Sequence, residues 1–200
     1  DTEFTKAGDY SAAVVLCRDG ARIRQVAMLR TRSDVETFTD QVIRLARFYN
    51  GAVICPERNS GVGRHMIRTL RRRGYQAIWR NKDMRRLGIT IDEAYGWHTD
   101  AASKEMLVSD TQAAIISSTL EICDPLIIQE LLDFSRHPSS RQRYGPAHPS
   151  GHDDAAMALM IGVTAITDNP PQNDNLGDVE DERDRFEEAL AILQRIGFDI

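Results

Sequence analysis

Apolar residues at the beginning of the chain follow the pattern of two β-strands joined by a tight turn. Residues 11–16 form an apolar run, and residues 22–30 interleave apolar and polar positions. The pair Asp19-Gly20 lies between them, and such a pair between two strand-like runs is typical of a β-hairpin. The sequence therefore predicts two antiparallel strands here.

The next part of the chain alternates between helical spacing and short apolar runs. Apolar residues at helical spacing predict one helix that starts after Ser33-Asp34 and ends at Phe48, and a second over residues 64–73. Residues 52–55 and 75–79 are short apolar runs of the kind that is buried on both faces of a parallel sheet. Both are predicted to be strands.

The second half of the chain is predominantly helical. Helical spacing predicts helices over residues 103–118 and 124–134 and a third that starts near residue 153, whereas residues 80–99 and 137–151 have the composition of loops. The predicted order of elements is therefore β, β, α, β, α, β, α, α, α. This order predicts an α/β fold with a mixed central sheet and helices on both faces.

The pattern also predicts where the folded domain ends. Hydrophobic residues make up 42% of the chain, which is enough for one core, and we expect a single domain over residues 1–167. Residues 168–200 begin with a Pro-Pro break and predict an acidic linker followed by a short amphipathic helix at 183–196. No apolar run has the ~20 residues that a membrane helix needs, and we expect no membrane contact.

The net charge of −5 conceals an uneven distribution along the chain. Residues 168–200 contain ten acidic and three basic side chains, whereas residues 58–86 contain ten Lys or Arg and one acid. A local net charge of +9 in residues 58–86 is compatible with a polyanionic partner, although the whole chain is acidic.

The segment Ser150 to Met160 places two adjacent carboxylates at the start of an otherwise apolar helix. One explanation is helix capping, in which Ser150 is the N-cap and Asp153 complements the positive end of the helix dipole. The other explanation is a metal site to which Asp153 and Asp154 contribute. The segment alone does not decide between them.

Other carboxylates extend the metal hypothesis. Glu57 follows directly after the predicted strand at residues 52–55, and Asp1 and Asp9 stand before the first predicted strand. Oxygen ligands are those that Mg²⁺ and Mn²⁺ prefer, and clustered carboxylates that hold two such ions ~4 Å apart support hydrolysis of phosphodiesters. The spacing of these residues follows no consensus, so composition and spacing leave both explanations open.

Four segments together resemble a known family, the nuclease domain of tailed-bacteriophage terminase large subunits. The resemblance covers roughly residues 1–165, and the order of the segments is more specific than any one of them. They are Asp1-Thr2-Glu3, Gly8-Asp9-Tyr10-Ser11-Ala12-Ala13-Val14-Val15, Ile54-Cys55-Pro56-Glu57-Arg58-Asn59-Ser60-Gly61 and Gly151-His152-Asp153-Asp154-Ala155-Ala156-Met157-Ala158.

The resemblance implies a ribonuclease H-like fold and a set of catalytic metal ligands. Asp1 matches the aspartate at the end of the family's first strand, Glu57 the acid after its fourth strand, and Asp153 and Asp154 the aspartates that open its late helix. Asp9 matches an acid in a neighbouring loop and receives a supporting role. The first strand itself is expected upstream of Asp1, and Val62 departs from the family, which often places a small residue there.

The basic segment is a candidate surface for DNA, because arginine and lysine neutralise phosphates without regard to sequence. The alternative is a helix face that is simply solvated. The candidate residues are Arg58, Arg64, Arg68, Arg71, Arg72, Arg73, Arg80, Lys82, Arg85 and Arg86.

Three further residues are candidates for a role in the site. His152 is a possible second-sphere residue that carries protons or orients a metal-bound water, although a histidine at a helix start more often caps or packs. Trp79 and Trp97 are predicted to be packing residues in preference to platforms for bases.

Together with the carboxylates and the basic segment, the resemblance implies a divalent-metal-dependent endodeoxyribonuclease, the nuclease domain of a viral DNA-packaging terminase that cuts double-stranded concatemeric DNA with two Mg²⁺ or Mn²⁺ ions. The resemblance implies an ATPase motor domain upstream in the same polypeptide, portal and small terminase subunit as partners, and the host cytoplasm as location. The alternatives are another ribonuclease H-like nuclease, such as a junction resolvase or transposase core, and a catalytically silent module that binds DNA or docks on a motor.

Overall fold

The computed structural model of the protein describes residues 10–59, 61–80, 95–137, 144–148 and 150–168. Its sheet begins with the predicted hairpin, in which β1 (Ser11–Asp19) pairs antiparallel with β2 (Arg22–Thr31). The turn between them is built on Gly20, whose φ of 56° lies in the region that glycine adopts without strain. The hairpin prediction is confirmed.

A third strand makes the sheet mixed. β3 (Leu120–Glu121) pairs parallel with β2, and the strand order is β1-β2-β3. With only two residues, β3 is too short to show the alternation that marks a strand, and the sequence did not predict it. The α/β class with a mixed sheet is confirmed.

The first two helices are both predicted by the sequence, and α1 also has the predicted bounds. α1 (Val35–Phe48) is capped by Asp34, whose carboxylate accepts hydrogen bonds from the N–H groups of Glu36 and Thr37. α2 (Gly61–Arg72) starts three residues earlier than predicted and ends before Gly74, whose φ is 74°. The two helices pack against each other.

The two predicted short strands form only single pairings in the described residues. Ile54 pairs parallel with Ile78, and the next residues along the same segment meet a later part of the chain, where Glu57 pairs parallel with Trp97. Trp79 and Trp97 are 4% and 5% exposed, and their rings lie 5.7 Å apart. Their assignment to packing is confirmed.

The helical second half contains one hairpin that the pattern missed. α3 (Ala101–Ile116) and α4 (Pro125–Asp133) lie close to the predicted ranges, and their N-caps are aspartates. β4 (Phe134–Arg136) begins at the last residue of the predicted helix and pairs antiparallel with β5 (Tyr144–Pro146), which lies within the range expected to be a loop. Such three-residue strands carry too little periodicity to be recognised in the sequence.

The last described helix, α5 (Asp154–Asp168), is the centre of the core. It contacts β1, α3 and α4, and its residues belong to both main hydrophobic clusters. A Cβ on Gly162 would come 2.9 Å from Leu16 Cδ1, so a glycine here lets α5 lie close to β1. Burial around most of its circumference explains the apolar sequence of α5.

The predicted acidic linker and terminal helix fall almost wholly outside the described residues, which end at Asp168. Within the described ranges, no helix is long and apolar enough to cross a membrane.

Candidate functional site

Two carboxylates mark the start of the central helix. α5 begins at Asp154, and the carbonyl of the preceding Asp153 accepts a helical hydrogen bond of 2.8 Å from the N–H of Met157. The side chains of Asp153 and Asp154 are 28% and 22% exposed, whereas most of α5 is buried. These two aspartates are thus accessible from solvent, as a ligand site requires.

The cap of α5 comes from another helix. Glu130 of α4 is 5% exposed, and its Oε2 accepts hydrogen bonds from the N–H groups of Ala155 and Ala156 at 2.8 and 3.0 Å. Ser150, four residues before the helix, does not cap it, and that prediction is wrong. Because Glu130 already accepts these N–H groups, neither adjacent aspartate is needed as the side-chain cap of the helix.

Each of the two aspartates has a cationic neighbour from a different element. Lys104 of α3 places its Nζ 3.7 Å from Asp153 Oδ2, and Arg30 of β2 places Nη2 3.6 Å from Asp154 Oδ2. The same Arg30 nitrogen is 3.4 Å from Glu130 Oε1. Strand β2 and helices α3 and α4 therefore all contribute charge to the start of α5.

Asp154 lies in a partly buried environment with both anionic and cationic neighbours. Burial, and after it the carboxylate of Glu130, raises the pKa of Asp154 above its ordinary value, and Asp153 adds to the rise. Arg30 and His152 act in the opposite direction but do not cancel it. A site with more negative charge than its own cations neutralise is one that a divalent cation stabilises.

His152 lies beside this carboxylate, as its predicted second-sphere role requires. Its Nδ1 is 3.6 Å from Asp154 Oδ2, and its ring meets the ring of Tyr10 edge-on at 5.1 Å. Tyr10 also has two cationic neighbours: the guanidinium carbons of Arg30 and Arg32 lie 3.7 and 4.2 Å from its ring centroid.

Glu57 is exposed, and its backbone pairs with that of Trp97. Its backbone lies against the first turn of α2, where a Cβ on Gly63 would overlap the Glu57 carbonyl oxygen. Gly96 also lies close to this segment, because a Cβ there would come 2.5 Å from the carbonyl oxygen of Pro56. The absence of a Cβ at Gly63 and Gly96 thus lets two other segments approach the backbone at Pro56 and Glu57 closely.

Asp1 and Asp9 lie outside the described residues. In the ranges that are described, no group of three or more His, Cys, Asp or Glu side chains is arranged to hold a metal ion. The structure brings Asp153 and Asp154 together, but it does not show a complete ligand set with Glu57.

The donors that are present fit a hard divalent cation. Asp153 and Asp154 offer carboxylate oxygens at a partly exposed helix start, and Mg²⁺ needs only one or two protein carboxylates in addition to waters and substrate phosphate. Free cysteines are not part of this arrangement, since Cys17 and Cys123 are exposed elsewhere and burial raises the pKa of the Cys55 thiol. The oxygen-only donor set matches Mg²⁺ and Mn²⁺.

The basic residues of α2 have different environments. Arg72 Nη2 is 2.7 Å from Glu36 Oε1 and Arg73 Nε is 3.0 Å from Asp40 Oδ1, so helix α1 already neutralises part of their charge. Arg64 and Arg68 are exposed, and the described contacts include no acidic partner for either. These two are the α2 arginines best placed to meet an external anion.

The other proposed DNA contacts are more scattered. Arg71 and Arg80 both place their guanidinium groups over the ring of Tyr95, and Arg80 also donates a hydrogen bond to its hydroxyl. Arg58 is partly buried beside Trp97, to whose carbonyl its N–H donates. The three remaining candidates lie outside the described residues: Lys82, Arg85 and Arg86.

Three charged residues of the site were not identified from the sequence, although each carried a signal. Glu130 lies on the apolar stripe of α4 with Ile127, and Lys104 shares the buried stripe of α3 with Leu107. A charge on a buried stripe requires a partner, and in both cases the partner lies at the start of α5. Arg30 gave the same signal at the end of an apolar strand.

Comparison with known proteins gives one family match. A family model described as the terminase RNaseH-like domain matches residues 1–165, which is the range of the resemblance noted above. No curated protein sequence matches the chain significantly.

Solved structures show the same fold. The large terminase nuclease from the thermophilic phage G20c, in crystals with bound cobalt, has 16% sequence identity and a TM-score of 0.53 over 78% of this chain and 81% of that chain. The same nuclease with bound magnesium has 15% identity and a TM-score of 0.53 over 78% and 82% of the two chains. The predicted ribonuclease H-like fold is confirmed.

Proposed function

We propose a function from one premise: the chain belongs to the family of terminase ribonuclease H-like domains. On this basis we infer a metal-dependent endonuclease domain of a viral DNA-packaging terminase, which cuts double-stranded concatemeric DNA. The observation that carries the proposal is the pair Asp153 and Asp154, two partly exposed carboxylates at the start of a buried helix that is capped by a different residue.

The proposed metal ligands are Asp153, Asp154 and Glu57, with Asp1 as a further ligand and Asp9 in support. Two Mg²⁺ or Mn²⁺ ions held by these residues would lower the pKa of an attacking water and would stabilise the leaving oxygen of the phosphodiester. The cobalt and magnesium in the G20c terminase nuclease support the choice of a divalent cation.

The chain's own residues hold this arrangement in place. The Glu130 carboxylate fixes the first turn of α5 through two backbone N–H groups, and the packing of α5 against β1, α3 and α4 makes that turn rigid. Gly63 and Gly96 allow the first turn of α2 and the segment around Trp97 to pack closely against the backbone at Glu57. Ligands held by rigid elements require little reorganisation when a metal binds.

DNA is proposed to lie along the basic segment that follows Glu57. The exposed Arg64 and Arg68 of α2 are proposed as its principal contacts in the described residues. We also propose that an ATPase motor domain lies upstream in the same polypeptide and that the partners are the portal and the small terminase subunit. The proposed location is the host cytoplasm.

A plasmid-cleavage assay tests the proposal. The chain is incubated with supercoiled plasmid and Mn²⁺, and the loss of the supercoiled form is measured for the wild type, Glu57→Gln and Asp153→Asn/Asp154→Asn. Both variants keep the side-chain shape and remove the charge. Because a bound metal contributes several kcal/mol to such reactions, we expect each to be slower by at least about 100-fold.

The matched control is Glu121→Gln, which removes an exposed carboxylate that pairs with Arg24 at 3.0 Å on the same sheet. It should cut at the wild-type rate, and EDTA should stop all cleavage. Wild-type cleavage by Asp153→Asn/Asp154→Asn would show that the site is misassigned. Preferential cutting of a four-way junction over linear duplex would favour a resolvase instead.

A further inference from the structure

The guanidinium group of Arg30 is shared between two carboxylates at the start of α5. Its Nη2 atom lies 3.4 Å from Glu130 Oε1 and 3.6 Å from Asp154 Oδ2. The side chains of Arg30 and Glu130 are only 15% and 5% exposed, so water screens their interaction weakly. Arg30 therefore divides one positive charge between a buried carboxylate and a proposed metal ligand.

This pairing is made by charge and not by close hydrogen bonds. Arg30 Nε, Arg30 Nη2 and Glu130 Oε1 are buried, and none of these atoms has a hydrogen-bond partner in the described part of the chain. A buried ion pair with this geometry does little for stability, because the cost of desolvation offsets the attraction. Its presence beside Asp154 calls for an explanation other than stability.

The position of the guanidinium is held by an aromatic ring. The Arg30 guanidinium carbon lies 3.7 Å from the ring centroid of Tyr10, and the ring of His152 meets the same tyrosine at 5.1 Å. The cation is thus held beside Asp154 even though its hydrogen bonds are incomplete.

The charges around Asp154 then determine the affinity of its carboxylate for a metal ion. A positive guanidinium near Asp154 Oδ2 competes with a divalent cation for the same carboxylate, and the effect is strong where solvent is largely excluded. Glu130 opposes this competition because it is a second partner for the same guanidinium. Without the Glu130 charge, Asp154 would be the only carboxylate that pairs with Arg30 in the described contacts.

We propose that Glu130 is a positioning residue that acts through Arg30: it draws the guanidinium away from Asp154 and so increases the affinity of Asp154 for a divalent cation. The inference rests on the proposed function, since it assumes that Asp154 binds metal. It assigns Glu130 two tasks, because Oε2 caps α5 while Oε1 faces Arg30.

The substitution Glu130→Gln separates these tasks. A glutamine Oε1 can still accept the N–H groups of Ala155 and Ala156, but the side chain no longer carries the charge that attracts Arg30. The probe is Mn²⁺ alone, titrated into the full chain, with free Mn²⁺ followed by its electron paramagnetic resonance signal. Changes next to metal ligands commonly cost 10–100-fold in affinity, and we expect about a tenfold loss.

The double variant Glu130→Gln/Arg30→Met identifies the route. If Glu130 acts through Arg30, removal of the guanidinium ends the competition for Asp154, and the double variant regains most of the lost Mn²⁺ affinity. Wild-type affinity in Glu130→Gln overturns the inference. An affinity in the double variant that is as low as in Glu130→Gln, or lower, overturns it as well.

A matched control uses the other Arg–Glu pair on β2. Arg24 and Glu121 carry the same charges at 3.0 Å but are 54% and 59% exposed, and Glu121→Gln should leave Mn²⁺ affinity unchanged. Far-UV circular dichroism and thermal unfolding without metal confirm that each variant is folded. If the wild type neither binds Mn²⁺ nor cuts DNA, the proposed function fails; if it does both and Glu130→Gln binds equally well, only this inference fails.

Discussion

Gly63 lies so close to Glu57 that a Cβ on the glycine would overlap the glutamate's carbonyl oxygen. The nearest atoms belong to the backbone of Glu57 and Arg58, which cannot rotate away as the end of a side chain can. Helix α2 therefore begins in contact with the segment that carries a proposed metal ligand. This contact explains why the loop that precedes α2 leads into a glycine-containing first turn.

Gly63→Ala is expected to displace Glu57 and reduce cleavage. Overpacking of this kind costs typically about 1–3 kcal/mol of stability, which chemical denaturation measures. A shift of a ligand by ~1 Å can cost about 100-fold in rate, and plasmid cleavage measures that loss.

Gly61→Ala is the control for this prediction. It changes the first residue of the same helix, where an added Cβ meets nothing within 4 Å. Alanine is the better helix former, so stability should stay equal or rise slightly, and cleavage should not change. Equal behaviour of the two variants would show that the contact between Gly63 and Glu57 does not position the ligand.

Local signals in the sequence were sufficient for much of the fold. Asp34 before an apolar periodic segment predicted the start of α1, and Asp19-Gly20 predicted the first hairpin. Strands β3, β4 and β5 have two or three residues each and were missed. β3 pairs with β2, which is distant in the chain, and no local pattern records that pairing. β4 and β5 pair with each other but are too short to show a periodicity.

The site was predictable only in part, for a related reason. Asp153 and Asp154 were visible because two acids interrupt an apolar segment, whereas their neighbours Arg30, Lys104 and Glu130 come from three other elements. Each of those showed a charge on a buried face, which predicts that a partner exists but does not identify it. Ser150 was the local candidate for the cap of α5, whereas the residue that accepts the N–H groups is Glu130 of a different helix.

The arginines of α2 should contribute unequally to DNA binding. Arg64 and Arg68 are exposed without a described acidic partner, so Arg64→Ala/Arg68→Ala is expected to weaken binding. Each lost phosphate contact lowers the slope of log affinity against log salt by ~0.9, so the slope should fall by about 2. Fluorescence anisotropy with a labelled duplex at several salt concentrations measures both quantities.

The comparison is Arg72→Ala/Arg73→Ala, which removes the same charge from the same helix. Because Glu36 and Asp40 already pair with these arginines at 2.7 and 3.0 Å, the salt slope should change less. The α1–α2 contact should weaken instead, and thermal unfolding detects this. Equal slopes for the two double variants would mean that pairing with α1 does not decide which arginines meet DNA.

The stability of α3 should depend on the charge of its N-cap. The Asp100 carboxylate accepts hydrogen bonds from the N–H groups of Ala102 and Ser103 at 2.9 and 2.8 Å, and Ser103 Oγ accepts from the Asp100 N–H at 2.7 Å. The hydrogen bonds from Ser103 are the main reason why the pKa of Asp100 lies below its ordinary value. A lowered pKa means that folding favours the ionised carboxylate.

Asp100→Ala is therefore expected to lower the free energy of unfolding by about 1 kcal/mol at pH 7. The ionised cap stabilises fully above the ordinary carboxyl pKa, and its contribution is lost as the pH falls through the lowered pKa of the folded state. The difference between the wild type and Asp100→Ala should accordingly shrink in acid, as urea unfolding at a series of pH values would show. Asp100→Asn keeps a good cap without a charge, so its free energy of unfolding should exceed that of Asp100→Ala at low pH as well. If the difference between the wild type and Asp100→Ala is equally independent of pH, the ionised cap is not its source.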